Sequence, residues 1–160
     1  MLRNVLLVDA PLICDIYNHH VLNTIVTFEE EPVSLEEMER RIAHITKTHP
    51  WIVYEETGTV IAYAYATDWK ARSAYRFSVE STVYVAEGYK SRGIGKSLYT
   101  ELLKQLNTRK IHSVIGGIAL PNDSSIKLHE SLGFEKIGQF KEVGLKFGKW
   151  VDVGYWEFIF

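Results

Sequence analysis

The run Val83-Tyr84-Val85-Ala86-Glu87-Gly88-Tyr89-Lys90-Ser91-Arg92-Gly93-Ile94-Gly95-Lys96-Ser97-Leu98 constrains this chain more than any other stretch. It reads as a strand, a turn rich in glycine and basic residues, and the start of an amphipathic helix. Such a junction can bind phosphate. Glycine lets a backbone come close, the first helical N–H groups have no intrahelical partner, and the helix dipole favours an anion there. Lys90, Arg92 and Lys96 add positive charge. Two phosphate motifs fail on spacing. A nucleotide P-loop ending in Gly95-Lys96-Ser97 needs glycine where Lys90 stands. A dinucleotide fingerprint starting at Gly93 needs its third glycine where Leu98 stands. A tight strand-to-helix turn with no ligand is the competing reading.

A chain of 160 residues suggests one domain, 1–160, with a real core. The net charge of −2 gives no support for broad nucleic-acid binding. Cys14 is the only cysteine, so no intramolecular disulfide can form and a reducing interior fits. Cys14 itself reads as a small core residue. No signal-peptide pattern and no apolar stretch near the ~20 residues of a bilayer span is seen, which points to the cytoplasm and away from a membrane.

Leu2 to Val8 reads as a strand. Asp9 caps a helix with Pro11 in its first turn, running to about Leu22. Ile25 to Phe28 is a short apolar loop. Ser34-Leu35-Glu36-Glu37 fits a capping box opening a helix through about Thr46. Trp51–Glu55 and Val60–Trp69 form a hairpin about Thr57-Gly58. Lys70 to Arg76 is a basic loop, and Phe77 to Val85 a strand with alternating faces. Gly95 to about Arg109 is a helix with Leu98, Leu102, Leu103 and Leu106 on one side. Ser113 to Ala119 is a strand. Asn122 or Asp123 caps a helix that stops before Gly133. Phe134–Phe147 and Trp150–Phe160 are extended runs about Gly148-Lys149. This order predicts a mixed α/β fold, a mostly antiparallel central sheet flanked by helices.

The Arg-Gly-x-Gly turn resembles that of the GNAT superfamily of acyl-CoA-dependent N-acetyltransferases. Lys90 stands where that family carries Gln or Arg. The element order matches the same superfamily along the whole chain. Trp69-Lys70-Ala71-Arg72-Ser73-Ala74-Tyr75, Val79 to Val85, Leu120-Pro121-Asn122-Asp123 and Phe147 to Gly154 are similar to the phosphinothricin and methionine sulfoximine N-acetyltransferases, as are Tyr17-Asn18-His19 and Thr27-Phe28. The resemblance implies an acyl-CoA N-acyltransferase fold and transfer of acetyl from acetyl-CoA to the α-amine of a small amino-acid analogue. It also implies a homodimer with substrate sites near the interface.

An amino-acid amine is mostly protonated at neutral pH, so a group must accept its proton. Glu80 is the candidate. Alternation puts it with Thr82 and Tyr84 on one strand face, and the resembling family uses a glutamate there as general base. A water-facing or ion-paired carboxylate is the alternative. His129 stands where many relatives have a tyrosine that protonates the departing sulfur. Imidazole suits either direction of transfer, and a helix-surface histidine without a catalytic part is as well supported. The remaining histidines lack metal-ligand spacing, so no metal is expected.

The resemblance assigns coenzyme A to the backbone of Val83, Tyr84 and Val85, to Ser91, Arg92, Gly93, Ile94, Gly95 and Lys96, and to Asn122, which simple helix capping would also explain. Lys70 and Arg72 are candidates for a substrate carboxylate, with Arg72 able to form a forked pair. Tyr75 and Phe28 would wall the side-chain pocket. An exposed basic loop is the plain alternative. Peptide or protein N-termini, polyamines, and a non-enzymatic CoA sensor remain open as competing functions.

Overall fold

The computed structural model describes residues 1–160. Its elements run β1 (Leu2–Asn4), α1 (Ala10–Asn23), α2 (Leu35–Ile45), β2 (Trp51–Glu56), β3 (Thr59–Asp68), β4 (Ser78–Val85), α3 (Ile94–Thr108), β5 (Ser113–Ala119), α4 (Asp123–Glu130), β6 (Glu135–Lys146) and β7 (Lys149–Ile159). One seven-stranded sheet takes the order β1-β2-β3-β4-β5-β7-β6. Every neighbouring pair is antiparallel except β4 and β5. The parallel pair needs a crossover, and α3 supplies it. This is the mixed, mostly antiparallel sheet that the hydrophobic pattern predicts.

Each face of the sheet has its own core. One gathers α3 with Ile52, Ala64, Val79, Val114 and Trp156. The other gathers α1 and α2 with Trp51, Val53, Tyr63 and Tyr84. In α3, Leu98, Leu102 and Leu106 are fully buried, following the helical period of the sequence.

Four local readings change. The first strand stops at Asn4, because the Asp9 carboxylate ties the next residues into a turn. It accepts from the Leu6 N–H at 2.8 Å and from the Arg3 guanidinium at 2.7 and 2.8 Å. Thus engaged, the Asp9 side chain does not cap α1. Ser34 caps α2 by accepting from the Glu37 N–H, but no box closes. Glu37 turns to Arg40 and Arg41 instead. The last hairpin turns at Phe147-Gly148, one residue earlier than the sequence suggested. Both residues have positive φ, as do Thr57 and Gly58 in the other hairpin. A two-residue turn matching the strand twist needs that conformation twice, and glycine takes the second place.

Pairing of β4 with β5 stops at Glu80 and Ile115, although both strands continue. The sheet therefore opens in its middle. A cleft of about 650 Å³ runs from this opening to the N-terminus of α3.

Candidate active site

At one end of the cleft, Ser91 (φ 62°) and Gly93 (φ 77°) bend the backbone through the left-handed region. Helix α3 begins at Ile94, and no side chain caps its first amides. Successive turned amides beside a helix N-terminus form an anion cradle. Ser91, Gly93, Gly95, Lys90 and Lys96 line it. Ile94 is buried and offers backbone only. Arg92 is turned away: its guanidinium pairs with Glu56 at 2.7 Å.

The strand edge comes next. The Ser78 carbonyl and the Ala86 N–H both bond toward β3. Even-numbered residues of β4 therefore present their backbone to β3, and odd-numbered ones to the open edge. Val83 and Val85 face the cleft by this parity, whereas the Tyr84 backbone belongs to β3 and its ring to the aromatic core with Tyr17 and Tyr63. The Val85 carbonyl is already met by His20 Nε2 at 3.1 Å. Across the opening, Asn122 Oδ1 accepts from the Ser125 N–H at 3.1 Å and caps α4. Its Nδ2 makes no hydrogen bond within the chain, so capping and ligand binding are compatible.

Glu80 sits where the strands part. It shares the face of Thr82 and Tyr84, as alternation required. Its carboxylate makes no ion pair, and Oε1 lies over Gly117, 3.3 Å from where a Cβ would stand. Burial pushes the carboxyl pKa up, and the Lys70 charge offsets part of that shift. Tyr155 also packs over Gly117, and burial together with Glu80 holds its phenol protonated.

His129 is 3 % exposed. Its Nδ1 lies 2.7 Å from the Ser125 carbonyl and therefore carries the proton. Nε2 is left as the acceptor of the Tyr99 O–H at 2.9 Å, and Ser81 Oγ bonds the Tyr99 oxygen at 3.1 Å. Burial holds the imidazole below its ordinary pKa, which keeps this neutral form. Gly116 lets the ring in: a Cβ there would stand 2.5 Å from Nε2. Tyr99 and His129 both line the cleft. The sequence marks His129 through its place before Gly133. Tyr99 and Ser81 carry no local signal, because only packing brings them to the cleft.

The basic loop lies outside this cleft. Lys70 rests over the Trp69 ring at 5.1 Å, Arg72 makes no ion pair, and Tyr75 is exposed. Phe28 leans on Gly144, where a Cβ would come within 2.3 Å of its ring. Its neighbour Thr27 lines the cleft.

Comparisons with known proteins show the family. The acetyltransferase (GNAT) domain family matches residues 2–154. A phosphinothricin N-acetyltransferase from Streptomyces viridochromogenes is 42 % identical over 149 residues, covering 93 % of this chain and 81 % of that protein. The crystal structure of a ribosomal-protein-alanine N-acetyltransferase from Brucella melitensis superposes with a TM-score of 0.98 at 36 % identity, covering 100 % of this chain and 99 % of that one. A GNAT superfamily phosphinothricin acetyltransferase from Sinorhizobium meliloti, in complex with AcCoA, gives a TM-score of 0.96 at 38 % identity, covering 99 % and 87 %. With the family matched over residues 2–154 of the 160, this chain belongs to the GNAT acetyltransferases.

Proposed function

We propose that the chain transfers acetyl from acetyl-CoA to the α-amine of a small amino-acid analogue of the phosphinothricin type. The observation that carries this is Glu80: an unpartnered, half-buried carboxylate at the wall of a cleft whose far end is an anion cradle. The Streptomyces and Sinorhizobium relatives supply the substrate class.

The residues fit acetyl-CoA. The amides at Ser91, Gly93, Gly95 and Lys96 suit a pyrophosphate, the open edge at Val83 and Val85 suits the amides of the pantetheine arm, and Asn122 Nδ2 is a free donor. Bound there, acetyl-CoA supplies an activated thioester. Glu80 takes the proton of the attacking amine, directly or through water, and its raised pKa makes it a better proton acceptor near neutrality. Tyr99 gives its one proton to His129 Nε2 and turns its oxygen to the cleft wall, so the pair fixes that wall beside the leaving side of the reaction. Arg72 and Lys70, on the loop beyond the cleft lining, offer positive charge to the acceptor carboxylate from the Glu80 side, where the Lys70 charge already acts, and Phe28 borders the acceptor side chain.

A homodimer belongs to the same reading. Ile137, Phe140, Val143, Leu145, Phe147 and Trp150 of the last hairpin are all exposed, an apolar surface that a second copy would cover.

The test is thiol release from acetyl-CoA against phosphinothricin, methionine sulfoximine, methionine sulfone, ordinary amino acids, a polyamine and short peptides. Activity confined to the first three supports the proposal. Activity on peptides or polyamine alone overturns the acceptor and favours the protein N-terminal reading that the Brucella structure suggests. Acetyl-CoA binding without transfer to any of them points to a sensor.

A further inference from the structure

The one buried residue of the twelve-residue strand β6 is a lysine. Lys146 is 1 % exposed, in a position where lysine almost never stands without partners. Its Nζ donates to the Thr27 carbonyl at 2.7 Å and to the Glu29 carbonyl at 2.8 Å. These two acceptors flank Phe28. Two residues before the lysine, Gly144 makes room for the Phe28 ring, since a Cβ there would come within 2.3 Å of it. The end of β6 therefore grips a single residue of the α1–α2 loop by both neighbouring carbonyls and by its ring.

The rest of the loop is fixed from below. The Tyr17 hydroxyl bonds Thr27 Oγ1 at 2.9 Å, and Asn18 takes the Val33 N–H at 2.8 Å while donating to its carbonyl at 2.9 Å. Arg41 pairs with Glu29 at 2.6 Å. None of these acts on the Phe28 ring. Without Lys146, two carbonyls would lose their donor in a poorly hydrated place, and the loop would have to move toward water to satisfy them. That movement would carry Phe28 and the cleft-lining Thr27 with it.

We infer that Lys146 is a positioning residue for the acceptor pocket, a strut from the β6–β7 hairpin that holds Phe28 and Thr27 where the acceptor side chain must pack. The role of Phe28 rests on the function proposed above. The strut does not reach the anion cradle, so acceptor binding depends on it and acetyl-CoA binding does not.

The test is Lys146→Met, which keeps an unbranched chain of similar length and removes the donor. The acceptor KM should rise about tenfold, the equivalent of one or two lost hydrogen bonds. The acetyl-CoA KM should stay within about twofold by the same reasoning. Equal rises in both, or no change in either, would overturn the inference. Hydrogen exchange gives a readout that needs no acceptor. Amides of residues 24–33 should exchange faster in the variant while those of α3 and β5 keep their protection. Unchanged exchange in the loop overturns the strut even if the true acceptor is a peptide. Should Lys146→Met fail to fold, Gly144→Ala displaces the Phe28 ring with Lys146 intact and should raise the same KM alone. An unchanged acceptor KM and unchanged loop exchange in that variant count against the proposal.

Discussion

Glu80, the proposed base, shows how the surroundings of a single side chain change its proton affinity. A strand carboxylate in water would be a poor base. Burial disfavours its charged form, which raises its proton affinity. Glu80→Gln should lower kcat by about 10²–10⁴-fold with little change in acetyl-CoA affinity. Unchanged turnover in a stopped assay would remove Glu80 from the base role. The same burial has a cost for folding. A carboxyl whose folded pKa is raised binds its proton more tightly in the native chain, so stability is lost as pH rises from the unfolded value through the folded one. Glu80→Gln should therefore melt no lower than the parent at pH 7, which calorimetry can check. Gly116 is the residue-scale counterpart on the other wall. Gly116→Ala puts a Cβ 2.5 Å from His129 Nε2, and displacing a buried, doubly bonded ring should destabilise the fold by about 1–3 kcal/mol. A melting temperature equal to the parent's would mean that the ring can move freely.

At the scale of elements, the cap of α4 is where structure and the proposed ligand binding meet. Asn122 Oδ1 holds the helix start, while Nδ2 stays free. Asn122→Asp keeps an acceptor and loses the donor, so the helix should remain capped while the acetyl-CoA KM rises several-fold. Asn122→Ala should lose both, including about 1 kcal/mol of stability. Equal melting temperatures in the two variants would show that the cap matters little. Element boundaries were legible where chemistry is local. Ser34, Asn122, Gly133 and the Thr57-Gly58 turn act on residues within a few positions of themselves. The first strand ends earlier than its pattern suggests because the partners of Asp9 include Arg3 across a turn, and an acid before a helix looks the same whether it caps or pairs. The last turn shifted by one residue because both Gly148-Lys149 and Phe147-Gly148 contain the needed glycine. Strand register chose between them.

The whole molecule responds to pH through groups spread over both cores. Burial holds His20 and His129 below the ordinary imidazole value of 6.5. In the unfolded chain both take protons near that pH, while the folded chain resists. The unfolded state then binds more protons, so stability falls as pH drops through this window. Burial alone would raise the carboxyls of Asp9 and Glu29, but Arg3 with the Leu6 N–H, and Arg41 with the Tyr17 hydroxyl, together outweigh it and hold both low. Their contribution is lost at more acidic pH, below the ordinary carboxylate range. The melting temperature should already decline between pH 7 and 5 and fall faster below pH 4. A flat profile from pH 7 to 5 in Glu80→Gln, which lacks the opposing contribution of that carboxyl, would contradict the neutral state assigned to His20 and His129. Association belongs to this scale as well. Replacing Leu145 and Trp150 together with glutamate should shift sedimentation toward the monomer if the exposed hairpin face pairs two copies. A parent that sediments as a monomer would dispose of the dimer.

Periodicity and the glycine turn are local properties, so the order of elements, the α/β class, the strand-to-helix turn at Gly93 and the face shared by Glu80, Thr82 and Tyr84 all followed from the sequence. Alternation in a strand has a period of two whatever the strand packs against. Only the tertiary structure decided that Arg92 pairs with Glu56 away from the cradle, that His129 is sealed against Tyr99, and that Lys146 reaches back to the loop around Phe28. The reason is one of distance along the chain. These partners are separated by 36, 30 and more than 100 residues, and no spacing rule connects residues so far apart until the sheet brings them together.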